Sequence, residues 1–204
     1  MSFYQDRILP HLTHLAMRQR ILRPYRERVV AGAAGRVLEI GIGSGVNLPL
    51  YSRALREVVG LEPSPRLLSM AERGAERADL PVRLLEGSAE SIPLDDASVD
   101  TVIMTWTLCS IPDAGRALAE MRRVLRPGGR LLFVEHGEAP DAWIRWWQDR
   151  LTPMTKRFVG GCHLGRPIRN LIERGGFRIE HLATGYLKGR NPTSYMFEGS
   201  ARPL

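Results

Sequence analysis

Three glycines at alternate positions, Gly41, Gly43 and Gly45, follow the apolar run in RVLEIGIGSGVN, residues 36–47, and Glu39 stands two residues ahead of them. A buried strand that feeds a glycine turn and then a helix brings backbone close to a ligand and aims unpaired N–H groups at an anion. The dinucleotide fingerprint G-x-G-x-x-G, counted from Gly41, requires glycine where Val46 stands. Glu62 ends the run in VVGLEPS about 20 residues beyond the glycines, where a strand-end carboxylate can accept both hydroxyls of a ribose. His136 directly follows an apolar run, and His163 sits among Gly160, Gly161 and Gly165. Either could be a base, and either could be an ordinary hydrogen-bonded histidine. Cys109 and Cys162 are too few for a disulfide framework or a four-ligand metal site, so no metal is expected.

Positioning such groups takes a sheet, and the apolar runs recur with the rhythm of one. Strands are expected at Val37–Ile40, Val58–Glu62, Val82–Glu86, Val99–Thr105, Arg130–Glu135, Phe177–Leu182 and Ser194–Glu198. Helical patterns fall between them at Pro65–Ala78 and Asp113–Leu125, the second carrying Leu118, Met121 and Leu125 at helical spacing. The expected fold class is therefore α/β: a Rossmann-like, seven-stranded and mostly parallel sheet with helices on both faces. Near the N-terminus, Ile8, Leu12, Leu15 and Leu22 form a helical stripe. That stripe suits a helix packed on the sheet edge, with a lid over a ligand or a basic membrane-contacting face as alternatives.

The 204 residues, 44% of them hydrophobic, suffice for one well-buried domain. The formal charge of +7 invites an anionic partner, yet Lys156 and Lys188 are the only lysines among 29 basic residues, a bias that codon composition alone can produce. No stretch reaches the ~20 apolar residues of a membrane span, and no secretion core opens the chain, so a cytoplasmic location is expected, with contact at the inner face of a membrane as an addition.

The pattern E-I-G-I-G-S-G resembles the first motif of class I S-adenosylmethionine-dependent methyltransferases. EGSAESIPLDDASVDTVIMTW is similar to the family segment that cradles adenine, and MRRVLRPGGRLLFVEH to its helix, turn and fifth strand. The resemblance implies S-adenosylmethionine as cofactor, held by Glu39, Gly41, Gly43, Gly45, Asn47, Glu62, Pro63, Ser88, Ala89, Glu90 and Thr105. Relatives often carry an acidic residue where Ser88 stands, which leaves the backbone of Ala89 as the adenine contact. It also divides a single domain, residues 1–204, into an N-terminal arm or lid (1–35), a cofactor-binding core (36–136), an acceptor-side insertion (137–176) and C-terminal strands (177–204).

Methyl transfer from a sulfonium needs in-line geometry, with a base only where the acceptor must lose a proton. The segment after the fourth strand reads TWTLCS, without the Asn/Asp-Pro-Pro-aromatic motif of nucleic-acid amino methyltransferases, and the chain lacks the Pro-Cys nucleophile of cytosine C5 enzymes. Both observations argue against a nucleic-acid acceptor. The connection after the fifth strand is longer than one crossover helix requires. In it, DAWIRWWQDRL puts Trp143, Ile144, Trp147 and Leu151 on one helical face, opposite Arg145, Gln148 and Asp149. Trp106, Trp143 and Trp147 are the expected acceptor pocket, and His136 and His163 the candidate catalytic groups. The set TLCSIPD, VEH, a Trp-rich helix and GCHL before GGF looks like the methyltransferase-like seven group, the alkyl-thiol methyltransferases. It implies a small lipophilic acceptor, a thiol ahead of a phospholipid amine or a quinone carbon. A membrane-surface binding module without catalysis is the non-enzyme alternative.

Overall fold

The computed structural model describes residues 4–204; the first three residues of the arm lie outside it. Seven strands, β1 (Arg36–Ile40), β2 (Glu57–Glu62), β3 (Val82–Glu86), β4 (Val99–Thr105), β5 (Leu125–His136), β6 (Phe177–Tyr186) and β7 (Tyr195–Pro203), form one sheet in the order β3-β2-β1-β4-β5-β7-β6. Only β7 runs antiparallel to its neighbours. The central strands are apolar almost throughout because both faces are covered, and their period of two sends alternate residues to opposite layers. Leu38, Met104, Leu131 and Phe133 meet Leu118 and Met121 of α4 (Ala114–Val124) and Ile168 and Ile172 of α6 (Ile168–Arg174). Val37, Val58, Ile103 and Val134 meet Val29 and Val30 of α2 (Arg23–Ala31) on the other side.

The expected seven-stranded α/β sheet is present, and several boundaries differ for local reasons. The fifth strand begins at Leu125 rather than Arg130: Leu125 pairs with Val99 before the register shifts and the Pro127–Gly129 turn loops out. Helix α3 (Pro65–Ala75), capped by the Ser64 hydroxyl, stops three residues short of Ala78. The last two strands outrun expectation because they form a hairpin with each other, paired from Phe177↔Pro203 to Tyr186↔Tyr195. The long connection holds α5 (Ala142–Phe158) as well as α6.

The arm differs most. Helix α1 (Leu9–Met17) lies over the carboxyl ends of the strands with Pro10 buried; of the expected packing stripe Ile8, Leu12 and Leu15 are exposed, and only Leu22, beyond the helix, is buried. It roofs the crevice, which was the alternative reading, rather than packing its apolar stripe on the sheet edge.

Candidate functional site

Strand order reverses between β1 and β4, so the connections leaving their carboxyl ends diverge and open a crevice. A cavity of about 450 Å³ lies there, within the usual range for small-molecule and cofactor sites. Gly41, Gly43, Glu62, Pro63, Ser88 and Ala89 line one end, Thr105 and Trp106 the middle, and His136 the other end, under Pro10, His14 and Met17 of α1. His14 Nδ1 and Ser44 Oγ lie 2.6 Å apart, which ties the roof to the glycine turn.

The glycines divide by task. Gly43 adopts φ +57°, and a Cβ there would meet nothing nearer than Gly41 O at 3.9 Å, so any side chain would stand in the cavity. Gly45 does not line it; a Cβ on Gly45 would come within 2.8 Å of Leu48 Cδ1 and 3.3 Å of Ala71, so this glycine serves the close approach of α3. The Gly43 N–H donates to Glu62 Oε2 and the Ser64 N–H to Oε1, each at 3.0 Å. Burial raises the Glu62 pKa above the ordinary carboxylate value although these two bonds pull it down. Ser88 donates to Glu90 Oε2 at 3.0 Å, and Glu90 Oε1 accepts from the Asp113 N–H at 2.6 Å. Glu90 therefore fastens the loop to the start of α4 and stays out of the cavity lining.

Glu39 and Asn47 likewise stand behind the wall. Asn47 Nδ2 donates to Glu39 Oε1 at 2.7 Å and to Thr105 Oγ1 at 3.1 Å, and Tyr51 donates to Glu39 Oε2 at 2.8 Å. Burial pushes Glu39 up to about 7 against those bonds. Arg26 of α2 completes the network, donating to Asn47 Oδ1 at 2.8 Å, Thr105 Oγ1 at 3.2 Å and Met17 O at 3.1 Å, with its guanidinium 4.7 Å from the centre of the Trp106 ring. Arg26 is 4% exposed, lines the cavity, and its Nε has no partner among the described residues. Nothing in the sequence marked it, because a lone arginine in a charged arm reads as a solvated side chain.

At the far end, β5 delivers Glu135 and His136, and two loops bring Cys109 and Cys162. Glu135 Oε1 accepts N–H bonds from Thr107 (2.9 Å) and Leu108 (3.1 Å), which shapes the turn after β4; burial pushes this carboxyl up to about 8. Trp106 takes φ +54° in that turn, and its Nε1 donates to Met196 Sδ at 3.3 Å. Cys162 Sγ lies 3.3 Å from His136 Nε2, and the Cys109, His136 and Cys162 ligand atoms all fall within 4.8 Å of one another, each residue buried. The neighbouring Cys162 thiol and the His136 ring hold Cys109 below the ordinary thiol pKa, and the Cys109 sulfur together with burial pushes Cys162 above it. Burial lowers the His136 pKa, but the Cys109 sulfur and Glu135 outweigh it, and the ring is raised. The two cysteines are 53 positions apart, and only the fold unites them.

Three expected residues lie elsewhere. His163 lines a separate surface depression with Lys156, Arg157 and Arg166. Trp143 and Trp147 are 64% and 37% exposed and do not line the cavity. Helix α5 instead buries Ile144 and Gln148, and Gln148 bonds the carbonyls of Gly137 (2.9 Å), Leu164 (3.1 Å) and Pro192 (2.9 Å) and the N–H of Ala139 (3.1 Å). A side chain that joins four backbone groups outweighs the pull of apolar tryptophans, which the helical-wheel reading had turned inward.

The strand order, the reversed last hairpin and the cofactor-sized cavity at the switch point decide the architecture. This is the class I methyltransferase fold. A methyltransferase-domain family model matches residues 38–133 of the chain. Thiol S-methyltransferase TMT1A from Homo sapiens is 34% identical over 161 residues, 74% of this chain and 66% of that protein. Demethylmenaquinone methyltransferase from Thermus thermophilus is 36% identical over 139 residues, 65% of this chain and 61% of that protein. The chain thus spans less than two thirds of either relative's length. Among solved structures, an S-adenosylmethionine-dependent methyltransferase from Thermotoga maritima, described as a possible histamine N-methyltransferase, superposes with a TM-score of 0.68 at 22% identity, covering 97% of this chain and 96% of that one. Within this class I methyltransferase fold, Gly43, Glu62 and the unpartnered Nε of Arg26 fit an adenosyl sulfonium amino acid: open backbone, a ribose acceptor and a cation beside a carboxylate.

Proposed function

We propose that the chain transfers the methyl group of S-adenosylmethionine to a small lipophilic acceptor, with a thiol ahead of a phospholipid amine or a quinone carbon. The carrying observation is one continuous cavity that runs from Glu62 and Ala89 to Cys109, His136 and Cys162 under the α1 roof. When bound, the cofactor supplies an electrophilic methyl group. Glu62 accepts the ribose hydroxyls, Ala89 backs the adenine, and Arg26 pairs with the methionyl carboxylate. Pro10 and Met17 exclude water from the reacting centre, and Trp106, held in a left-handed conformation, forms the acceptor wall.

A product-detecting assay under reducing conditions, offering a small alkyl thiol, a phosphatidylethanolamine and a demethylated quinone, tests this. Methylated thiol is expected. Product from only the amine or the quinone replaces the acceptor, and no product from any of the three by a chain that binds S-adenosylhomocysteine overturns the lipophilic-acceptor reading.

Peripheral membrane contact is a second proposal, carried by the exposed tryptophans. Trp143 and Trp146 stack at 5.2 Å, Trp147 meets both edge-on, and Arg150 lies 4.0 Å from the Trp146 ring centre. Aromatic rings beside arginines suit an anionic interface, where a lipophilic acceptor would dissolve. Among the described residues no helix is long and apolar enough to cross a membrane. Flotation with anionic vesicles at low salt, lost in Trp143→Ala/Trp146→Ala, is expected; no flotation of the wild type contradicts the proposal.

A further inference from the structure

The geometry points to a site for a soft divalent cation, zinc by its chemistry, formed by Cys109 Sγ, Cys162 Sγ and His136 Nε2, with its fourth position open to the methyl acceptor. A tetrahedral zinc ion with thiolate and imidazole ligands sets those donor atoms roughly 3.5–3.8 Å apart. The three ligand atoms already lie within 4.8 Å of one another, with Cys162 Sγ 3.3 Å from His136 Nε2, so loading asks for shifts of about 1 Å.

All three residues are more than nine-tenths buried, yet all three line the cavity. The donor set therefore faces inward to a protected space and not to bulk water. Two sulfurs and one imidazole select zinc-like ions over magnesium or calcium, which prefer oxygen. The count also has a meaning: structural zinc sites close with four protein ligands, whereas sites that act on a substrate use three, Cys₂His among them, and leave one position free. Counting cysteines alone, as the sequence invites, required four ligands and overlooked this case.

Three segments far apart in the chain bring the ligands together. His136 ends β5, Cys109 follows the turn held by Glu135, and the loop bearing Cys162 is pinned where the His163 N–H donates to Cys109 O at 2.9 Å and Thr155 Oγ1 to Cys162 O at 2.7 Å. These bonds fix the backbone of the two cysteine-bearing segments before an ion arrives, while the ring of His136 is held by burial at the end of β5, its Nδ1 without a hydrogen-bond partner among the described residues.

The role of the ion rests on the methyl-transfer reading; its binding does not. An acceptor thiol takes the open position as a thiolate, its proton passing to water. The thiolate sulfur then forms a bond to the methyl carbon as the sulfonium C–S bond breaks, whose electron pair stays on the departing S-adenosylhomocysteine. The neutral thioether is a weaker ligand and leaves.

Cobalt(II) reports such a site by colour. The reduced chain is titrated with cobalt(II) alone, and separate portions of the cobalt-loaded protein then receive zinc or a small alkyl thiol, while S-adenosylhomocysteine affinity is measured in the same samples. One equivalent of cobalt is expected to give tetrahedral visible bands with thiolate-to-metal charge transfer, displaced by zinc, altered by the thiol, and lost in Cys109→Ser and in Cys162→Ser. Both variants are expected to keep their cofactor affinity, which separates loss of the site from loss of the fold. A reduced, cofactor-binding wild type without this spectrum overturns the site, as does a spectrum retained in both variants. A cobalt spectrum unmoved by the thiol overturns the open position.

Discussion

Gly43 carries the most specific consequence of a single residue. Its φ of +57° is strained for a β-branched side chain by about 1–3 kcal/mol, and the space beyond its Cα belongs to the cavity. Gly43→Val is expected to remove S-adenosylhomocysteine binding in calorimetry while the circular dichroism spectrum stays native. Normal affinity in the folded variant would contradict the placement. At this scale the sequence was legible in part. The glycine turn and Glu62 stood out through spacing alone, and both line the cavity. Glu39, Gly45, Asn47 and Glu90 come from the same motifs but stand behind the wall, because motif spacing does not separate a residue that touches a ligand from one that braces the loop.

Helix α5 illustrates what elements hide. Its pattern announced a tryptophan face turned inward, and the folded helix turns Gln148 inward instead, since three carbonyls and an N–H from separate loops need one amide to pair with. Gln148→Ala leaves those four groups unsatisfied and is expected to destabilise the chain by about 3 kcal/mol in denaturant unfolding. Trp143→Ala, on the exposed face, is expected to shift stability by under about 1 kcal/mol. Equal costs for the two would contradict this orientation. The strands were legible because burial on both faces makes them near-continuous apolar runs. The arm was not: its outward leucines mimic a packing stripe, while Pro10, His14 and Met17, which face the cavity, keep the helical spacing but carry a polar histidine in their middle and so do not read as an apolar stripe.

For the whole molecule, Glu39 links stability to pH. Burial raises its folded-state pKa to about 7 from the ordinary 4.5 of a free glutamate, so the fold holds a proton that the unfolded chain has released across that interval. Stability from this group therefore falls as pH rises from about 4.5 to about 7, by ~3 kcal/mol, and levels off above. Unfolding free energies of wild type and Glu39→Gln, compared at pH 5 and pH 8, should show the variant gaining on the wild type at the higher pH; a constant gap would contradict the assignment. The same network braces Arg26 and Thr105 against the cavity, so the core and the site share their polar contacts. The methyl-transfer reading depends on the cavity being a cofactor site. Calorimetric titration of the wild-type chain with S-adenosylhomocysteine tests that most directly. Saturable binding of one molecule per chain is the predicted result, and no binding by a folded, reduced chain would contradict it.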